Sequence, residues 1–328
     1  MSHLPHVLFT VFTQISVGAL LSMLIADFLA KDDKELNFIE TGVWVSPVAL
    51  AIGGIAMLSH EARPMLAATS ITKNFPASPL SLEAGIMTGF GILMAVYFLL
   101  WILHPDYGTP GIRRIPGLNA LAKWLTPIRK PVGIIGVVVG FIFVPASAAV
   151  YMIPGLPGTS LITTPIFFYV TTLLAGVTAV AAVLSVKYMI KKESEELLTR
   201  LLWVSWGISL IMIIVLILAI PANISSLKAP AETVAASMAR AKTLEEIIAG
   251  EWTPLFWARL IVGVILPIIC LAVLPFALRK KEITKASGIT VLLFVLLLIG
   301  EISGRMVLLA SSVPLGEVAP YVLSYMPV

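Results

Sequence analysis

The sequence predicts an all-α protein, a polytopic transmembrane bundle of about eight helices forming one domain over residues 1–328, and three observations carry that prediction. Hydrophobic residues make up 59% of the 328 and charged residues only 12%, whereas a soluble domain carries roughly a quarter charged residues. The apolar residues fall in runs of about spanning length, near 7–29, 42–59, 82–103, 132–153, 165–187, 201–222, 254–278 and 288–311. Lys and Arg cluster in the short stretches between those runs, as membrane topology requires. A water-soluble fold is excluded. The net charge of +4 is a consequence of topology, so membrane lipid is an expected partner and nucleic acid is not.

The first run begins in MSHLPHVLFTVF, which has no basic n-region, and continues to about Ala30. It is longer than a signal-peptide core and is expected to be a retained span. The second, GVWVSPVALAIGGIAMLS, is the shortest and is interrupted by Pro47 and by Gly53 and Gly54; a kink, or burial beside other protein, is expected there. Between the third and fourth runs lies HPDYGTPGIRRIPGLNALAKWLTPIRKP, a long loop. Between the sixth and seventh, AETVAASMARAKTLEEIIAGEW combines good helix formers with mixed charges, which predicts a short surface helix. No internal repeat is evident, an argument against a transporter built from duplicated halves.

Loop charge sets the orientation. The loops after spans one, three, five and seven hold Lys31, Lys34, Arg113, Arg114, Lys123, Arg129, Lys130, Lys187, Lys191, Lys192, Arg200, Arg279, Lys280, Lys281 and Lys285, fifteen cations, against Arg63, Lys73, Lys228, Arg240 and Lys242 on the other side. The positive-inside rule then places both termini on the outer face of the cytoplasmic membrane.

An ionisable group inside a transmembrane helix is costly unless paired or wet, which makes it a functional candidate. The candidates are Asp27, His60, Glu83, Arg259, Glu301 and Arg305, with Gln14 as an uncharged companion. In the expected orientation, all but Asp27 lie in the outer half, on five different spans. Asp27 sits at the inner end beside Lys31 and is expected to be interfacial. Glu301 and Arg305 are spaced i,i+4, so mutual neutralisation is the alternative to a pocket role. Snorkelling is the alternative for Arg259.

The remaining residues define what the chain lacks. Its histidines, His3, His6, His60 and His104, form no facing intramembrane pair for a heme. A lone Cys270 excludes an internal disulfide and a Cys-ligated iron–sulfur cluster. No HExxH, Walker A or strand-to-helix GxGxxG pattern occurs. No heme, cluster or metal of the chain's own is therefore expected.

Four segments taken in order, PHVLFTVFTQISVGALL, MLSHEARPMLAATSITKNFPASPLSLE, FWARLIV and LIGEISGRMVLL, together resemble the membrane anchor subunit of dimethyl sulfoxide reductase. The resemblance implies an anchor that oxidises menaquinol and passes electrons to a ferredoxin-like iron–sulfur subunit with four clusters, which in turn feeds a molybdopterin catalytic subunit in anaerobic respiration. It places quinol binding and proton transfer on His60 and Glu83, and the pocket's other polar residues on Gln14, Arg259, Glu301 and Arg305. The chain departs from the family pattern in its longer loops and in Glu61-Ala62-Arg63 after His60. The rival class is a secondary transporter or ion channel, in which the same charges line a path; concentration of the charges at one face argues against it.

Overall fold

The computed structural model describes residues 3–60, 69, 72–112 and 117–324. The main helices are α1 (Leu4–Leu29), α2 (Asp33–Val43), α3 (Val45–His60), α4 (Pro79–Ile102), α5 (Leu118–Ala149), α6 (Thr163–Lys191), α7 (Glu195–Lys228), α8 (Val234–Ile248), α9 (Thr253–Leu260), α10 (Leu266–Arg279), α11 (Ile283–Ala310) and α12 (Leu315–Ser324). A π-helical turn, Ile261–Ile265, joins α9 to α10. Eight spans long and apolar enough to cross a membrane result among the described residues, α2 with α3 and α9 with α10 each forming one. The chain is a multi-pass membrane protein.

Local chemistry explains the departures from the expected boundaries. The second span begins at Asp33, where the Asp32 side chain accepts the Glu35 N–H at 2.8 Å and caps the helix. Its break falls at Trp44, between α2 and α3. Pro47 has no N–H to donate to the Val43 carbonyl four residues back, and its ring crowds that carbonyl. Gly53 and Gly54 lie inside the continuous α3. The long loop after the third span is shorter than expected, because α5 starts at Leu118 and runs through Pro127 and Pro131. The expected surface helix is α8, capped by Thr233 accepting from Ala236 N–H.

Within a bilayer, lipid tails are as apolar as Leu, so helices associate through close packing of small residues. α1 and α6 form the centre of the bundle, the two spans most enclosed by protein. They cross where Gly18 meets Gly176: a methyl group on Gly18 would lie 1.8 Å from the Thr172 carbonyl oxygen. A second close crossing joins the π turn to α11 through Gly263 and Gly300. The outer helices keep apolar side chains such as Ile55, Ile92, Ile142, Leu218 and Phe276 exposed, a face for lipid. Gly18→Val should force α1 and α6 backbones apart and destabilise the fold by about 3 kcal/mol, the upper part of the overpacking range. Thermal unfolding in detergent checks it; an unchanged midpoint would show that the crossing is loose.

Candidate functional site

The centre of the candidate site is Arg305 on α11. Its Nη2 donates to Gln14 Oε1 on α1 at 2.7 Å and to Thr171 Oγ1 on α6 at 3.0 Å. The Thr171 hydroxyl donates in turn to Glu301 Oε2 at 2.5 Å. The expected i,i+4 pair therefore makes no direct ion pair among the described residues; Thr171 stands between its members. The Arg305 guanidinium lies 3.5 Å from the Phe168 ring centroid, a cation–π contact that compensates part of its desolvation.

Several polar atoms in this buried cluster lack partners. Gln14 Nε2 and Arg305 Nη1 are donors without acceptors. The amide orientation follows from Arg305, which can only donate and so must face the Gln14 oxygen. Buried unpaired donors cost about 1–3 kcal/mol each, and such groups in a native fold call for an explanation. A ligand bearing oxygen acceptors provides one.

Glu83 enters from the first turns of α4, which Ser78 and Ser81 cap reciprocally. Its carboxyl is buried, and Oε1 has no hydrogen bond. Ser147 on α5 and Tyr151 just beyond α5 are its electrostatic neighbours, and Tyr151 also feels Arg305. The Tyr151 ring packs 6.0 Å from Phe168, centroid to centroid. Burial holds the Tyr151 hydroxyl above the ordinary tyrosine range, so it keeps its proton at physiological pH. Tyr151 and Phe168 thus connect Glu83 to Arg305.

Arg259 is buried rather than snorkelling. It stacks on Phe167 at 4.4 Å and passes so close over Gly304 that a methyl group there would meet its Nε at 2.5 Å. Glu301 is the counter-charge acting on both Arg259 and Arg305. The π turn follows directly, where Pro267 cannot donate to the Gly263 carbonyl. Arg259 Nε is unpaired, and the side chain lines a small cavity of about 30 Å³ with Asn223, Thr243, Phe256 and Ser311 beneath α8. Gln14, Glu301 and Arg305 thus form one cluster, Arg259 backs it across α11, and Glu83 joins through Tyr151. His60 ends α3, and its side chain lies outside the described residues.

Asp27 is not partnered by Lys31. It is buried, and Arg129 grips both of its oxygens, Nε to Oδ2 at 3.0 Å and Nη2 to Oδ1 at 2.6 Å. Arg129 lies 4.3 Å from the Trp101 ring centroid and also donates to the Tyr107 hydroxyl. His104 stacks on Tyr107 at 3.7 Å, and burial holds its imidazole below the ordinary value. Lys31 pairs instead with Glu196 at 3.0 Å. Buried charge is therefore present at both ends of the bundle, contrary to the one-sided distribution expected. Asp27 and Arg129 are satisfied by each other and by Tyr107, so the pair is a structural tie, whereas Gln14 and Arg305 each retain an unused donor.

Sequence reasoning missed Thr171, Phe168, Tyr151 and the Asp27–Arg129 pair. Threonines and aromatic residues are ordinary in membrane helices, and a contact between residues 102 positions apart leaves no local signature.

A protein of Escherichia coli (strain K12), anaerobic dimethyl sulfoxide reductase chain YnfH, is 33% identical over 181 residues, which cover 55% of this chain and 57% of that relative. The chain thus spans somewhat more than half the length of the curated relative it matches. Residues 1–310 match the family described as DMSO reductase anchor subunit (DmsC), a stretch that takes in all eight spans. A membrane bundle whose whole helical core fits that description belongs to the family of DMSO reductase anchor subunits.

Proposed function

We propose that the chain is the quinol-oxidising membrane anchor of a molybdopterin oxidoreductase complex, taking electrons from menaquinol and passing them to a four-cluster ferredoxin-like subunit docked on the outer face, where both termini lie. The observation that carries the proposal is the buried cluster of Gln14, Thr171, Glu301 and Arg305 with two unpaired donors inside the membrane-spanning bundle. Gln14 Nε2 and Arg305 Nη1 are suited to hold a quinol or quinone oxygen, and lipid-facing apolar helices admit an isoprenoid tail.

Oxidation of quinol to quinone releases two protons and two electrons. Neutral His60 accepts the first proton, since histidine titrates near physiological pH. Glu83 relays protons outward, with its unpaired Oε1 as acceptor, and the arginines and Glu301 set the field. The electrons leave to the partner's cluster. A transporter would need an open polar route, and the saturated Asp27 pair at the opposite end offers none.

Gln14→Leu tests the pocket. Loss of one hydrogen bond to the headgroup, together with the unpaired Arg305, should cut quinol-driven turnover about tenfold or more and raise KM for quinol. Dye-driven turnover, which enters through the partner subunits, should be unchanged. Equal rates with both donors, parent and variant alike, would remove this cluster from quinol binding.

A further inference from the structure

A groove unconnected with the Arg305 cluster runs between α7 and α10 on the lipid-facing side. It has a volume of about 380 Å³ and is lined by Trp203, Trp206, Ile213, Leu271, Pro275 and Arg279, among others. Its origin is local. Pro275 cannot donate to the Leu271 carbonyl, and Trp206 Nε1–H takes that place at 2.8 Å. The bond ties the indole to α10, and Trp203 stands edge-on to it, with ring centroids 5.6 Å apart and 85° between planes. Two half-buried tryptophans at one level mark a membrane–water interface. From Trp203 to Ile213 the groove follows α7 for about 15 Å, half of a hydrocarbon core of roughly 30 Å and so the depth of one leaflet.

Charge at the mouth is one-sided. Arg279 lines the groove and makes no ion pair or hydrogen bond among the described residues. Lys280 and Lys281 follow it, both exposed. Three nearby carboxylates are engaged elsewhere: Glu282 with Lys285 at 2.8 Å, Glu196 with Lys31, and Glu195 with the Tyr188 hydroxyl. An apolar slot one leaflet deep that ends in unpaired cations at the interface complements a lipid with a negative headgroup.

We propose that this groove binds an anionic glycerophospholipid from the leaflet at the α10–α11 turn, its acyl chain against Trp203, Trp206 and Pro275 and its phosphate on Arg279 and Lys280. Basic pockets between membrane helices recognise anionic headgroups in this way.

The test uses the full chain purified in a zwitterionic detergent and reconstituted with phospholipids brominated on their acyl chains, which quench nearby tryptophans. The chain has seven tryptophans, so the difference between parent and Trp203→Phe protein isolates the groove signal. Brominated phosphatidylglycerol should quench that signal with at least about fivefold preference over brominated phosphatidylcholine. Arg279→Gln with Lys280→Gln should abolish the preference, and Arg279→Lys, which keeps the charge, should retain it. Equal quenching by the two lipids in the parent, or an undiminished preference in the Gln variant, would overturn the proposal. A thermal midpoint equal to the parent's confirms that the Gln variant is folded.

Discussion

His60→Ala is expected to lower quinol-driven turnover by about two orders of magnitude, the scale of a lost general base, while dye-driven turnover of the same preparation is retained. His60 closes α3 at the end of the second span, and an imidazole with an ordinary pKa of about 6.5 can take a proton from quinol and release it within one turnover. Glu83 stands at the start of the next span with one carboxyl oxygen unpaired. Glu83→Gln keeps the shape but cannot carry a proton, so its loss should be smaller and its pH profile altered, because water bypasses a relay more easily than it replaces the first acceptor. The two donors decide the matter. If both activities fall together in His60→Ala, the residue supports assembly rather than chemistry, and if neither falls it has no part in turnover.

The other large effect lies at the opposite end of the bundle. Arg129→Met would leave the Asp27 carboxylate buried without the guanidinium that grips both of its oxygens, and breaking a buried pair in this way costs about 3–5 kcal/mol. The Trp101 and Tyr107 contacts of Arg129 would be lost with it. Asp27→Leu combined with Arg129→Met removes both charges and should recover most of that stability, since two apolar side chains of similar volume need no partners. Unfolding midpoints in detergent for the single and double variants measure this. Thirteen residues of helix separate Asp27 from Gln14 on α1, about 20 Å, so turnover per folded complex should match the parent's. A single variant as stable as the parent would show that the pair is not a structural tie. A double variant that folds yet loses quinol-driven turnover would give it a functional role.

Membrane insertion is decided by the chain locally, which is why so much of the architecture is legible in the sequence. Each span must satisfy its own backbone hydrogen bonds within the bilayer, so a run of apolar residues declares a helix whatever its neighbours do. The eight spans, the α8 surface helix and the short list of ionisable intramembrane residues follow from that rule. Boundaries were less legible where a helix continues beyond the apolar run. Polar first turns such as Asp33–Asn37 in α2 and the proline-bearing start of α5 are helical although neither looks like a span.

What only the tertiary structure decided is which faces meet. Gly18 and Gly176 bring α1 against α6, and that contact delivers Gln14 and Thr171 to Arg305 from two different helices. The same assembly converts the expected Glu301–Arg305 neighbour pair into a bridge through Thr171. It also gives Asp27 a buried partner in Arg129 rather than its sequence neighbour Lys31. Charge type and approximate depth are properties of one segment and can be read along the chain. Partner choice depends on how helices rotate and cross, and in lipid that is settled by close contacts of small residues rather than by any hydrophobic pattern.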